Sequence, residues 1–249
     1  MTAWWRHHFD DGWFRLHRDL FPARRSRREA GAILDFLGLP VGSRVLDAPC
    51  GWGRHAVPFL EAGLRPVGAD LSVVLLLRAR ELCADALACP PLAAADLAAL
   101  PFADGAFDAA VDVFTSVGIF DDDAREVAAL AELRRVTRPG GQLLLESAHR
   151  DDVVRHFAAR DGFRLRDGTL VRIRRRLDAE RGVADERWRW RAPDGREGRS
   201  RHALRVYTAG EILRLVEAGG WEAEATAGDW DGASFSHESP RLIVLARRR

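Results

Sequence analysis

Lysine is missing from this chain, so all 38 of its basic side chains are arginine. Alanine is abundant beside them, and the pair marks a GC-rich coding bias that discounts basic clusters as evidence of function. The run Arg24-Arg25-Ser26-Arg27-Arg28 therefore reads as a solvated helix face rather than a nucleic-acid contact. A formal net charge of +1 gives no general attraction to phosphate polymers. Cysteine is scarce: Cys50, Cys83 and Cys89 are odd in number and lack metal-ligand spacing, so no metal is expected. No apolar run approaches the length of a membrane-spanning helix. The N-terminus shows no basic segment followed by an apolar one and a small-residue cleavage site. These absences lead us to expect a soluble cytoplasmic protein with no membrane partner.

Of the residues present, 47% are hydrophobic and 30% charged, and the length of 249 fits one large domain or a core with additions. The most informative stretch is Arg44-Val45-Leu46-Asp47-Ala48-Pro49-Cys50-Gly51-Trp52-Gly53-Arg54-His55, an apolar strand that runs through an acid into a glycine-punctuated turn. Gly51 and Gly53 can take positive φ and let backbone amides approach a ligand. Asp47 then stands beside that ligand as an acceptor. Cys50 reads as a small packed side chain, and Trp52 as a wall of the site. Gly51 to Ala56 also fits the G-x-G-x-x-A dinucleotide fingerprint, a weak signal when alone. It gains weight from a second strand, Arg65-Pro66-Val67-Gly68-Ala69-Asp70, whose acid falls about twenty residues on, where a ribose-binding carboxylate is expected.

A third strand ends in Asp96, within Ala94-Ala95-Asp96-Leu97. A fourth is Phe107-Asp108-Ala109-Ala110-Val111-Asp112-Val113-Phe114. Arg138-Pro139-Gly140-Gly141 then leads into a fifth strand ending near Glu146. In this order the elements resemble the class I S-adenosylmethionine-dependent methyltransferases, closely from Val41 to about Glu146 and loosely at the end of the chain. The resemblance implies an α/β fold: a Rossmann-like, seven-stranded, mostly parallel sheet with helices on both faces and an antiparallel final strand. It implies S-adenosyl-L-methionine as cofactor, with Asp70 on the ribose hydroxyls, Asp96 on the adenine amino group, Leu71 and Leu97 on the adenine faces, Gly51 and Gly53 at the methionine end, and Phe114 bordering the methyl group. Arg54 and His55, just after the glycine turn, could reach the cofactor carboxylate or the substrate. Pro49 departs from the glycine usual in the family at the first turn position and stiffens the mouth of the turn.

Around this core the sequence divides as one domain, residues 1–249. An aromatic helical segment, residues 1–40, is dense in Trp4, Trp5, Phe9, Trp13, Phe14, Leu16, Leu20 and Phe21. The resemblance implies a lid over the cofactor mouth, and ordinary helix packing on the sheet edge is an equal alternative. The cofactor core is 41–147, with helices expected over 54–62, 73–85 and 124–136, the last capped by Asp121-Asp122-Asp123. Over 148–207 a helix near 152–160 precedes three antiparallel strands, 169–178, 183–192 and 196–207. Val171, Ile173, Trp188, Trp190, Leu204 and Val206 supply a packed face. A helix at 208–218 and a hairpin of strands 221–227 and 242–246 complete the sheet.

The leading reading is an in-line transfer of a sulfonium methyl to an N or O nucleophile of a small molecule. His149, just past the fifth strand, and His202 and Tyr207, on the last meander strand, are the candidates for a general base. Alternatives are a nonmethylating use of the cofactor such as cyclisation, methylation of RNA or protein, and a non-catalytic cofactor-binding protein. The sequence is silent on the acceptor and on oligomeric state.

Overall fold

The computed structural model describes residues 3–84, 89–114, 116–120 and 122–249. The N-terminal aromatic segment is not one helix but α1 (Trp5–His8), α2 (Asp11–His17), a 3-10 turn (Arg18–Leu20) and α3 (Ala23–Leu37). Asp10 starts α2 by accepting from the Trp13 amide at 2.8 Å, as an N-cap acid does. Pro22, extended at ψ 153°, separates the turn from α3. Gly38 closes α3 in the left-handed region at φ 56°.

The core follows as β1 (Arg44–Asp47), α4 (Ala56–Glu61), β2 (Arg65–Asp70), α5 (Val73–Leu82), β3 (Leu92–Ala94), β4 (Phe107–Asp112), α6 (Asp123–Val136) and β5 (Thr137–Ser147). After it come α7 (Arg150–Arg155), β6 (Arg160–Arg164), β7 (Leu170–Asp178), β8 (Val183–Arg191), β9 (Glu197–Arg205), α8 (Ala209–Ala218), β10 (Glu222–Ala227) and β11 (Leu242–Arg247). Seven strands form one sheet in the order β10-β11-β5-β4-β1-β2-β3. β11 runs antiparallel to both of its neighbours, and the remaining pairs are parallel. This is the sheet the motifs implied.

Strand periodicity sorts the two faces. Leu46, Ala110, Leu143, Leu145 and Val244 face α6 and α8, packing with Leu130, Leu133, Ile212 and Val216. Their odd-phase neighbours Val45, Ala109, Val111, Leu144 and Ile243 meet Ile33 and Leu37 of α3 and Phe59 of α4. Strands buried on both faces read as near-continuous apolar runs, as β11 does from Leu242 to Ala246.

Several boundaries differ from the sequence reading, β9 among them, which ends at Arg205 rather than Tyr207. α4 begins at Ala56, so Arg54 and His55 lie in the turn ahead of it. α5 ends at Leu82, and the expected end at Asp85, like Asp121 of the triple acid, lies outside the described residues. The helix expected to reach Arg160 stops at Arg155, and Arg160 opens a fourth strand of the meander, β6, paired antiparallel with β7. Asp161-Gly162 looks like a turn in sequence. In the fold Gly162 lets the two strands close, because a Cβ there would lie 2.6 Å from the Val171 carbonyl oxygen.

Trp221, at the start of the returning hairpin, is 2% exposed in the α6/α8 cluster and donates from Nε1 to the Leu130 carbonyl at 2.9 Å. Trp221→Ala should lower unfolding stability by about 3–5 kcal/mol through the cavity left behind. Trp221→Phe should cost about 1 kcal/mol for the lost hydrogen bond, with some further loss of packing. Urea unfolding followed by circular dichroism checks both, and equal stability of Trp221→Ala and wild type would contradict this packing.

Candidate active site

A cavity of about 350 Å³ opens beyond the carboxyl ends of β1, β2 and β4, where open α/β sheets bind ligands. Its floor is the turn after β1. Gly51 and Gly53 take φ of 55° and 68°, and a Cβ on Gly53 would sit 3.0 Å from that of Ala79 in α5. The turn is fixed by Asp70: one carboxylate oxygen accepts from the Gly51 amide at 2.8 Å and the other from the Ser72 amide at 2.8 Å. Each oxygen keeps a lone pair for a further donor. Cys50 is buried in the same turn, and burial, then the charges of Asp47 and Asp70, push its thiol up, consistent with packing.

Asp47 is the unusual residue of the floor. It is 2% exposed, lines the cavity, and neither carboxylate oxygen has a hydrogen-bond partner among the described residues. Burial, reinforced by Asp70 and Asp112 and opposed by Arg54, pushes it up to about 7. His55 Nδ1 lies 4.0 Å away, and burial holds that imidazole down at about 4, hence neutral. A buried acid without a donor is costly, and it suits a cationic ligand that brings the missing charge.

Arg54 is held beside it. Its guanidinium pairs with Glu29 of α3 and lies 4.8 Å from the Phe21 ring centroid and 5.8 Å from that of Phe114. Against the upward push of burial, the nearby His55 ring and the bonds from Arg54 and Arg25 hold the Glu29 carboxyl well below its usual range. Phe114 itself sits at φ 73°, a conformation rare for a bulky residue. Its amide donates to Glu146 Oε2 at 2.7 Å, and Arg241 steadies Glu146 at 3.1 Å. At the other end Asp96 accepts from the Ala98 amide at 3.1 Å and from Arg125 at 2.5 Å. Leu71 and Leu97 line the cavity there and pack beside Trp5 and Phe120.

The N-terminal segment covers this floor. Trp52 meets Trp13 and Phe14 at 5.6 Å and Phe21 at 5.8 Å between ring centroids. Trp4, Trp5, His8, Phe9, Trp13 and His17 line the cavity from above. The meander supplies the far wall with Trp188, His202 and Leu204.

The three base candidates separate. His202 lines the cavity. His149 does not: its Nε2 is 2.6 Å from the Ser239 carbonyl and its ring packs on Phe235, tying the end of β5 to the loop before β11. Tyr207 also stands outside, its hydroxyl donating to Asp123 at 2.7 Å within the α6/α8 cluster. Sequence reasoning missed Glu29, Glu146 and Glu186. Glu29 and Glu146 act through contacts between distant elements, whereas Glu186 shares the even phase of Trp188 and Trp190 on β8. The run Arg24 to Arg28 lies in α3, where Arg25 pairs with Glu29 and Arg27 with Glu61.

Residues 45–141 match the model of a family described as "Methyltransferase domain". A demethylmenaquinone methyltransferase of Renibacterium salmoninarum is 36% identical over 127 residues, 51% of this chain and 50% of that protein. One from a Mycobacterium species is 40% identical over 119 residues, 48% and 46% of the two chains. The chain thus spans about half the length of the curated relatives it matches. Among solved structures, the S-adenosylmethionine-bound amino pentose methyltransferase of Micromonospora echinaspora is 25% identical with a TM-score of 0.70, over 93% of this chain and 96% of that one. An S-adenosylmethionine-dependent methyltransferase of Clostridium acetobutylicum shares the fold at a TM-score of 0.81, 15% identity and 96% and 98% coverage. Residues 45–141 thus carry a methyltransferase domain, and the sheet has the fold of the solved S-adenosylmethionine-dependent methyltransferases. Among the described residues no helix is long and apolar enough to cross a membrane, and no cluster of His, Cys, Asp and Glu is arranged to hold a metal.

One further acid supports the cavity wall. The segment 116–120 carries Ser116, Ile119 and Phe120 into the cavity, and Glu126 of α6 holds it by accepting from the Gly118 amide at 2.8 Å and the Phe120 amide at 3.1 Å. Burial outweighs those bonds and, with Asp112 and Asp123 nearby, pushes Glu126 up to about 8 from 4.5. A carboxyl raised in the folded state contributes stability that is full below pH 4.5 and lost as pH rises through 8. Glu126→Gln keeps an acceptor and removes the titration. It should flatten unfolding stability against pH across that window by up to about 1.4 kcal/mol per pH unit, measured by urea unfolding at several pH values. An unchanged slope would contradict the assignment.

Proposed function

We propose that this chain binds S-adenosyl-L-methionine at the glycine turn and transfers its methyl to an N or O nucleophile of a small molecule in the same cavity. The observation that carries this reading is the unpartnered carboxylate of Asp47, buried in the cavity floor beside the Gly51 turn. When bound, the cofactor supplies a positively charged methyl donor that leaves as neutral sulfide.

The chain's own residues then have separable tasks. Asp47 meets the positive charge of the methionine part. Arg54, immobilised by Glu29, is the cation available to the methionine carboxylate. Asp70 offers its remaining lone pairs to the ribose hydroxyls, Asp96 accepts from the adenine amino group, and Leu71 and Leu97 flank the ring. Gly51 and Gly53 keep the turn free of side-chain bulk, with Cys50 packed beneath and Trp52 as wall. Phe114 borders the methyl position. Holding two reactants in line and close can remove about 7–11 kcal/mol of barrier, and the aromatic cover excludes water.

A small acceptor is favoured because the cavity is roofed by the N-terminal segment and closed at the side by the meander; a polymer would need an open groove. One relative is named for demethylmenaquinone and one solved neighbour for an amino pentose, neither of them a nucleic acid or a protein. The cavity and its unpartnered acid also weigh against a purely structural role. Consumption of cofactor without an acceptor would favour a nonmethylating reaction instead.

Calorimetry with S-adenosylhomocysteine tests the reading. Asp47 lies near 7 in the free protein and is drawn to its carboxylate by a cation, so binding below neutral pH should release up to about one proton and tighten as pH rises. Asp47→Asn should remove that pH dependence. Asp70→Ala should weaken binding at least about tenfold through the lost ribose contacts. No binding by the folded wild-type protein would overturn the proposal.

A further inference from the structure

Two buried polar atoms at one end of the cavity, His202 Nδ1 and Trp4 Nε1, stand unpaired among the described residues. Both side chains line the cavity, and their ring centroids lie 5.8 Å apart. Leaving such an atom unpaired costs about 1–3 kcal/mol, so the pair marks a place for a ligand group. An indole N–H needs an acceptor, and an imidazole nitrogen with a lone pair needs a donor. A hydroxyl is both. An alkylammonium cannot accept from Trp4, and a carbonyl cannot donate to His202.

The lone pair on Nδ1 depends on the other ring nitrogen. His202 Nε2 lies 3.4 Å from Glu186 Oε2, the two residues being direct cross-strand partners on β8 and β9. Trp188 Nε1 donates to the same carboxylate at 2.8 Å and Arg175 to its other oxygen at 2.6 Å. Against the upward push of burial, these contacts hold Glu186 down at about 2. An ionised acceptor at Nε2 keeps the proton there and leaves Nδ1 basic.

The surroundings select the body that carries the hydroxyl. Trp4, His8, Trp13, His17 and Trp188 present rings to this end of the cavity; His17 stacks on Trp13 at 4.2 Å and on Trp188 at 5.0 Å. Burial first, then the charges of neighbouring histidines, holds His8 at about 3; burial also holds His17 at about 4. Both are therefore neutral at physiological pH. The acids in the wall, Asp47, Asp70 and Asp96, all belong to the strand tips. A flat, uncharged ring fits this chamber, and an alkylammonium would find no acid in the lining of this end.

We propose that the acceptor is an aromatic alcohol, its hydroxyl lodged between Trp4 and His202, and that His202 takes the hydroxyl proton while Glu186 acts as positioning residue. This rests on the methyltransferase reading above and names its acceptor. In the step, the acceptor O–H bond breaks, its proton bonds to Nδ1 and its electron pair stays on oxygen, which becomes the nucleophile. The imidazolium is balanced by Glu186, and Trp4 donates to the developing oxyanion. The proton leaves to solvent when the product departs. The titratable or charged groups facing His202 are Glu186 from β8, His8 from α1 and His17 from α2, with Arg175 from β7 behind Glu186.

The test uses cofactor-free protein and 4-nitrophenol, whose absorbance reports its own ionisation. The bound probe should ionise about one pH unit lower than the free probe. His202→Asn should abolish that shift while leaving S-adenosylhomocysteine binding intact, and Trp4→Phe should shrink it. Glu186→Gln, which cannot balance the imidazolium, should also raise the midpoint, and it decides the matter if His202→Asn does not fold. Failure of the wild type to bind the probe, or an unshifted midpoint in wild type, or the wild-type midpoint persisting in His202→Asn or Glu186→Gln, would overturn the proposal. Those outcomes with S-adenosylhomocysteine still bound remove this inference alone. A wild type that binds no S-adenosylhomocysteine removes the reading beneath it.

Discussion

The carboxylate of Asp70 joins the ends of two parallel strands. One oxygen takes the Gly51 amide, which follows β1, and the other takes the Ser72 amide, which caps α5 after β2. That bridge turns a glycine-rich segment into a fixed floor, so the adjacent Asp47 is presented to the cavity without a partner of its own. Burial raises Asp70, opposed by the two amide bonds, and nothing comparable relieves Asp47. A floor that satisfied both acids internally would hold no charge in reserve for a cation. The division of labour between two neighbouring aspartates follows from which backbone amides the turn happens to aim where.

The roof obeys a different constraint. α1 and α2 are too short to be stable alone, and their aromatic residues become ordered by burying against Trp52 below and the meander beside them. The meander likewise needs the roof, since Leu16 of α2 completes the small cluster of Leu165, Val171, Ile173 and Trp188. Cover and wall are therefore one packing unit held over the sheet. Arg54 links that unit to the floor by touching Phe21, Phe114 and Glu29 together.

Much of this was legible in the sequence where the determinants are contiguous. The glycine turn, the acids at the ends of β2 and β3, and Phe114 after β4 each sit within a few residues of a strand whose phase can be counted, and all line the cavity. The seven-stranded sheet was what the family resemblance implied, and the observed strand order agrees with it. Legibility fails where a contact joins distant segments. Nothing around Arg54 announces Glu29, and nothing around Trp4 announces His202. His149 lies just past β5 as expected, whereas Tyr207 falls beyond the end of β9 and not on it; position near a strand end does not fix which way a side chain turns, and both turn into structural bonds. Glu186 was within reach: on β8 it shares the even phase of Trp188 and Trp190, and an acid in phase with a packed face is a residue with a task. The strand β6 was hidden because Asp-Gly is read as a turn when only local chemistry is considered.

Charge is partitioned along the cavity. Acids cluster at the strand tips, where Asp47, Asp70 and Asp96 belong to the sheet, whereas the roofed end is lined by indole and neutral imidazole. Raising or lowering a pKa by burial works in opposite senses at the two ends: it makes Asp47 reluctant to ionise and His8 and His17 reluctant to protonate. Both effects reduce net charge in the empty cavity, which is how a low-dielectric site tolerates so many titratable groups. A cation entering at the tips restores the Asp47 carboxylate without disturbing the histidines, because these sit at the other end among aromatic rings. In the proposed reading a charged cofactor and a neutral acceptor share one enclosure, each end tuned by the same desolvation that the shared roof imposes.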